Sequence, residues 1–166
     1  GTADLLAAGE GGKGRFYSSL ISCHDNEQYG SKNLVSIGYG AILAPFIPMW
    51  YIGEEWNNAV TVSDGQQLYR NNINWMTIDI NREYYENVKK LIRIRRTYSG
   101  IFESSVQNHR ESNICKVTTN SSIQAYARYS DGKAVIVAAN NENAAQKLHI
   151  EIPYASSLLD AGNYRI

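Results

Sequence analysis

The chain has 166 residues, 43% of them hydrophobic, which suits one medium domain or two small ones and supplies enough apolar side chains for a core. Its 16 basic and 16 acidic residues cancel to a formal net charge of zero, so no basic stripe gives an electrostatic ground for expecting nucleic acid. No run is apolar and long enough for a membrane span, no signal peptide is visible, and no membrane partner is expected. Charged residues amount to 19%, whereas Tyr reaches 12. Tyr and abundant Asn suit polar, neutral ligands such as sugars, and they equally suit ordinary loops. Cys23 and Cys115 are far apart and carry no metal-ligand spacing, so neither a metal nor a cofactor is expected.

Residues 1 to 14 contain Gly9, Gly11, Gly12 and Gly14 and read as a loop into the first strand. This Gly-rich start, which lacks Met, is expected of a processed or excised segment. The run from Arg15 to Glu27 is rich in β-branched and aromatic residues and ends on ionisable groups, His24 and Asp25. A buried parallel strand delivers side chains to a site at its carboxyl end in this way. Ser31 to Ala44 reads as a buried helix, capped by Ser31, with Gly38 and Gly40 among its apolar positions. An apolar helix with glycines is expected to pack closely on several sides.

Pro45 and Pro48 bound a second strand, Ile47 to Ile52, which stops at Gly53-Glu54-Glu55. Two consecutive βα units that both end in polar residues argue for a piece of an α/β barrel. Two units cannot close one, because closure takes about eight. The remaining strands are therefore expected from elsewhere in a longer polypeptide. Trp56 to Asn81 reads as a long polar loop. Arg82 to Tyr98 reads as a helix with apolar positions near the helical period and cations towards its C-terminal end, which suits the helix dipole.

Beyond about Gly100 the period changes. Ser122 to Tyr129 alternates, Asp131-Gly132 is a hairpin turn, and Lys133 to Ala139 is the returning strand. Asn140 to Asn143 reads as another turn, followed by a third alternating run from Gln146 to Ile152. The expected organisation is thus residues 1–100 as the end of a (β/α)8 barrel (strands seven and eight with their helices) and 101–166 as an antiparallel β-sandwich domain, whole or in part.

Five stretches in order now resemble one family. Ile21 to Glu27 resembles the end of the seventh barrel strand in the α-amylase family of glycoside hydrolases, which are retaining enzymes acting on α-glucans. Ala44 to Glu55 resembles its eighth strand, and Asn74-Trp75 the Trp-bearing loop before the last helix. Tyr84 to Arg95 resembles the eighth helix, and Tyr126 to Ile152 the β-sandwich that follows the barrel.

The resemblance implies specific chemistry. Retaining glycosidases need a carboxylate nucleophile and a carboxylic acid about 5–5.5 Å apart around an oxocarbenium-like transition state. In the family these lie on strands four and five, for which the chain has no counterpart. The third carboxylate corresponds to Asp25, whose implied catalytic role is to hold the distorted sugar and stabilise positive charge. His24 corresponds to the histidine that hydrogen-bonds the same sugar, and Trp56 could stack on a sugar ring at the rim. The implied partner is an α-linked oligo- or polysaccharide, alongside the remainder of the barrel or a second copy. Two positions depart from the pattern. Cys23 stands where Asn is frequent, and Gln28 where a basic residue is frequent. Both bear on the shape of the sugar site.

Other readings compete. Glu54 and Glu55 could touch a ligand, but they are better read as bracing the mouth through loop hydrogen bonds. Trp50 and Trp75 are read as packing residues. The cations of the second helix are read as a solvated face. Asn120-Ser121-Ser122 matches a glycosylation acceptor. The alternative function is a non-catalytic carbohydrate-binding or protein-interaction module on a degenerate barrel. The segment alone is expected to be inactive, since it holds no nucleophile–acid pair.

Overall fold

The computed structural model describes residues 18–19, 21, 33–44, 47–57, 75–102, 114–116, 123–130, 132–147 and 149. They belong to two compact units, one spanning Ser18–Thr97 and the other lying beyond Tyr98.

In the first unit, β1 (Ser18–Ser19) and β2 (Ile47–Pro48) pair in parallel, Ser18 opposite Ile47 and Ser19 opposite Pro48. Helical structure lies between them in sequence, as parallel pairing requires. Strand β2 is shorter than the run Ile47 to Ile52 read from the sequence, since Met49 to Ile52 are not strand. The helix between them begins as α1 (Asn33–Ile37) and widens into a π-helical turn, Gly38–Ile42. That turn is closed by the Leu43 N–H, which donates to the Gly38 carbonyl at 2.9 Å.

The glycines of this turn permit close approach. A Cβ on Gly38 would lie 3.1 Å from Leu91 Cδ1, and one on Gly40 would lie 3.1 Å from Ile21 Cδ1. The expected packing on more than one side is therefore present. Ile37, Ile42 and Val88 form the buried centre of the unit, with Leu34, Tyr84 and Leu91 packed around them.

Val88 belongs to α3 (Arg82–Thr97), which is preceded by the short helix α2 (Thr77–Ile80). Helix α3 matches the sequence reading to within a residue. It is amphipathic, so the apolar face fixes its orientation. Near its end the Arg95 guanidinium donates to the carbonyls of Ile42 and Ala44 at 2.7 and 2.8 Å. These carbonyls lie where the preceding helix stops and would otherwise lack partners. Helix α2 falls within the stretch expected to be a loop. The sequence reading missed it because four residues carry too few positions to reveal a period.

In the second unit, α4 (Ser99–Phe102) precedes a three-stranded antiparallel sheet of order β3–β4–β5. Its strands are β3 (Ile114–Lys116), β4 (Ile123–Ser130) and β5 (Lys133–Asn140). Hairpin β4–β5 runs from the Ile123–Asn140 pair to Ser130–Lys133, with Gly132 in the turn at a φ of 72°. The following turn is also as expected, because Asn140 Oδ1 accepts the Glu142 N–H at 3.0 Å. The strand on the other side of β4 is β3, and of the expected third run Gln146 to Ile152 all but Gln146, Lys147 and His149 lies outside the described residues. Cys115 pairs opposite Ala127 from the far side of β4, whereas the described residues Gln146, Lys147 and His149 form no strand.

Strand β4 lies between two neighbours and is buried continuously from Ala125 to Tyr129, including the charged Arg128, which is 0% exposed. Its Nη1 donates to the Phe102 carbonyl at 2.9 Å. Strand β5 alternates between covered and exposed positions from Val135 on, as a strand with one solvated face does.

Candidate functional site

Two strand ends were expected to carry ionisable groups, with the chemistry at the first. His24 and Asp25, which follow β1, lie outside the described residues. The end that follows β2 is described and is built as a tight loop. Gly53 takes a φ of 102°, in the left-handed region that a side chain would strain. The backbone then forms a single 3-10 turn, Glu54–Trp56, and leaves it through Asn57 at a φ of 52°.

Both acids of this loop turn back onto it. Glu54 Oε2 accepts the Tyr51 N–H at 3.2 Å, and Glu55 Oε2 accepts the Gly53 N–H at 2.7 Å. These bonds correspond to the bracing role read from the sequence. A carboxylate that accepts backbone N–H groups neutralises turn donors that would otherwise be lost to solvent or left unmade. Glu54 is 1% exposed, so its charge sits in a nearly dry setting.

The Tyr84 phenol of α3 feels that charge. Its hydroxyl is buried with no hydrogen-bond partner. Its pKa is raised from the ordinary 10.0, first by burial and then by the negative charge of Glu54. Both the Glu54 side chain and the Tyr84 hydroxyl are buried. Nothing in the sequence marked Tyr84 for this position, because the helical period reports a face and not where a hydroxyl ends.

The aromatic pair beside the loop divides its surface unequally. Trp56 is 3% exposed. Its Nε1 donates to Thr77 Oγ1 at 2.9 Å, and its ring meets that of Trp75 at a centroid distance of 5.3 Å and an angle of 34°. Trp75, read as a packing residue, packs against Trp56 and is still 58% exposed. Of the two indoles, the one presented to solvent is therefore Trp75. Thr77 also escaped sequence reading. Its role depends on a partner 21 residues away.

An open groove along α3 is lined by Lys89, Ile92, Arg93, Arg96 and Thr97. Its cations sit on a solvated face, where Lys89 donates to Glu86 at 2.9 Å and lies 5.4 Å from the centre of the Tyr85 ring. Among the described residues, no group of three or more His, Cys, Asp or Glu could hold a metal ion, and no helix is long and apolar enough to cross a membrane. No protein-family model, no curated protein and no solved structure matches the chain.

Proposed function

We propose that the chain is part of a retaining α-glucan-active glycoside hydrolase or transglycosylase, formed as the last two βα units of a (β/α)8 barrel followed by a β-sandwich. Asp25 is the third carboxylate of its active site, and His24 donates a hydrogen bond to the sugar. The observation that carries this reading is the order of the five family-like stretches along one chain. The parallel pairing of Ser18–Ser19 with Ile47–Pro48 supports it. Parallel strands send their carboxyl ends to the same side, where α/β enzymes bind ligands. His24-Asp25 and Glu54-Glu55 follow the two paired strands at nearly the same distance in sequence.

The chemistry follows from charge. Cleavage of a glycosidic bond builds positive charge on the ring, and a fixed carboxylate in a water-poor site stabilises it far more than it would in water. Nucleophile and acid come from the earlier strands of the longer protein. The 166-residue chain alone should therefore leave starch, maltooligosaccharides and a chromogenic α-glucoside unchanged, while the longer protein turns them over. Turnover by the isolated chain that Asp25→Asn abolishes would overturn this division of labour.

A second reading, a non-catalytic carbohydrate-binding or interaction module, draws support from the exposed Trp75. Sugar binding without turnover by the longer protein would select it.

A further inference from the structure

The largest apolar side chains left in water gather around α2. Trp75, Met76 and Ile80 are 58%, 78% and 80% exposed. The Met76 carbonyl already accepts the Asp79 N–H, so the helical course includes Met76. Met76 and Ile80, four residues apart, then share one face, and Trp75 heads the neighbouring ridge, which continues to Asp79. The base beneath Trp75 is fixed, because Trp56 is buried and hydrogen-bonded to Thr77. Isolated exposed apolar residues are ordinary, but a grouped patch on a rigid base marks an interaction surface.

The rim tells which partner fits. Asp79 and Arg82 form an ion pair, and their side chains are 79% and 56% exposed. Among the described residues, the patch thus has an apolar centre with Asp79 and Arg82, one charge of each sign, beside it. A partner of a single sign would meet attraction and repulsion in equal measure. A sugar could stack on Trp75, but it would leave Met76 and Ile80 in water. A second copy satisfies both features, because about a twofold axis Asp79 of each copy faces Arg82 of the other. The zero net charge of the chain puts no long-range repulsion in the way.

We propose that this face is a homotypic docking surface, on which two copies of the chain pair through Trp75, Met76 and Ile80 with reciprocal Asp79–Arg82 contacts. The inference is independent of the catalytic reading, since it uses neither His24 nor Asp25.

Sedimentation velocity of the 166-residue chain over a concentration series tests it, with far-UV circular dichroism as the check on folding. Wild type should show a monomer–dimer equilibrium. Ile80→Glu should weaken it by about tenfold or more, the scale of losing a central interface contact. Asp79→Arg and Arg82→Asp should each weaken it alone, because each places like charges across the axis. Mixed in equal amounts, the two charge variants should recover a heterodimer. The internal ion pair is broken in both, so only a contact between copies can produce that recovery. A wild-type monomer at all concentrations, unchanged association in folded Ile80→Glu, or no recovery on mixing would each overturn the proposal. A monomer whose maltooligosaccharide binding is lost in Trp75→Ala would overturn it too, and would assign the face to sugar.

Discussion

Both units of the chain use an arginine to satisfy carbonyls where a helix stops, but they do so in opposite surroundings. In Ser18–Thr97, Arg95 reaches from the half-covered flank of α3 to Ile42 and Ala44. Beyond Tyr98, Arg128 reaches Phe102 from the middle of β4 and is fully buried. Water can replace Arg95 in part, but not Arg128. The first unit leaves Arg95 within reach of water, and the second uses a fully buried arginine to hold its interior together. Loss of Arg95 should therefore cost less stability than loss of Arg128.

The largest effect should come from Asp25. In the longer protein, Asp25→Asn should lower kcat/KM by about 10²-fold or more, the scale of removing one preorganised electrostatic contact. Steady-state kinetics on maltooligosaccharides measures it, and a value within about threefold of wild type would remove Asp25 from the catalytic role. His24→Ala should act mainly through weaker sugar binding.

Arg128→Met should be the most damaging structural change. It removes the Nη1 hydrogen bond to the Phe102 carbonyl in a dry interior, at a cost of about 3 kcal/mol. Arg95→Met should cost about 1 kcal/mol, because water reaches its two carbonyls. Urea unfolding of both variants tests the contrast directly. Equal losses would mean that burial does not separate the two arginines.

Gly38→Val probes packing within the first unit. Its Cβ alone would stand 3.1 Å from Leu91 Cδ1, and the added methyl groups should cost about 1–3 kcal/mol by overpacking. Combining it with Leu91→Ala should recover part of that loss, a coupling that a double-mutant cycle reads. Additive losses would break the assignment of Gly38 to close approach.

The smallest effect is at Tyr84. Replacing it by Phe removes a buried hydroxyl that lacks a partner, so stability near neutral pH should stay level or rise by up to about 1 kcal/mol. The pH dependence has a definite sign. The folded pKa is raised above the ordinary 10.0, so above that pH the unfolded chain loses its proton first. Tyr84 therefore contributes a stability loss that grows as pH rises beyond about 10 towards the folded value. Urea midpoints at pH 9 and 11 should fall less in Tyr84→Phe than in wild type. Equal falls would show that this phenol is not held neutral by its surroundings.

Local signals were legible where a short stretch contains its own explanation. Helix α3 shows its period over four turns, and hairpin β4–β5 carries its turn between two alternating runs. The bracing by Glu54 and Glu55 was also readable, since acids just after a strand have turn donors within reach. The π-helical widening at Gly38–Ile42 was not, because it depends on the fit against Leu91 and Ile21.

The sequence by itself determined which segments could be helix or strand, and it placed ionisable groups just beyond two strand-like runs. Periodicity and turn chemistry are set by neighbours in the chain, so they survive without a fold. Only the tertiary structure decided the partners: Ile114–Lys116 on β4, Arg128 inside the sheet unit, Thr77 on Trp56, and Trp75 as the indole left in water. Alternation says that a strand has two faces but not what covers them. Burial and hydrogen-bond partners come from residues far away in sequence, and no local pattern records which of those will arrive.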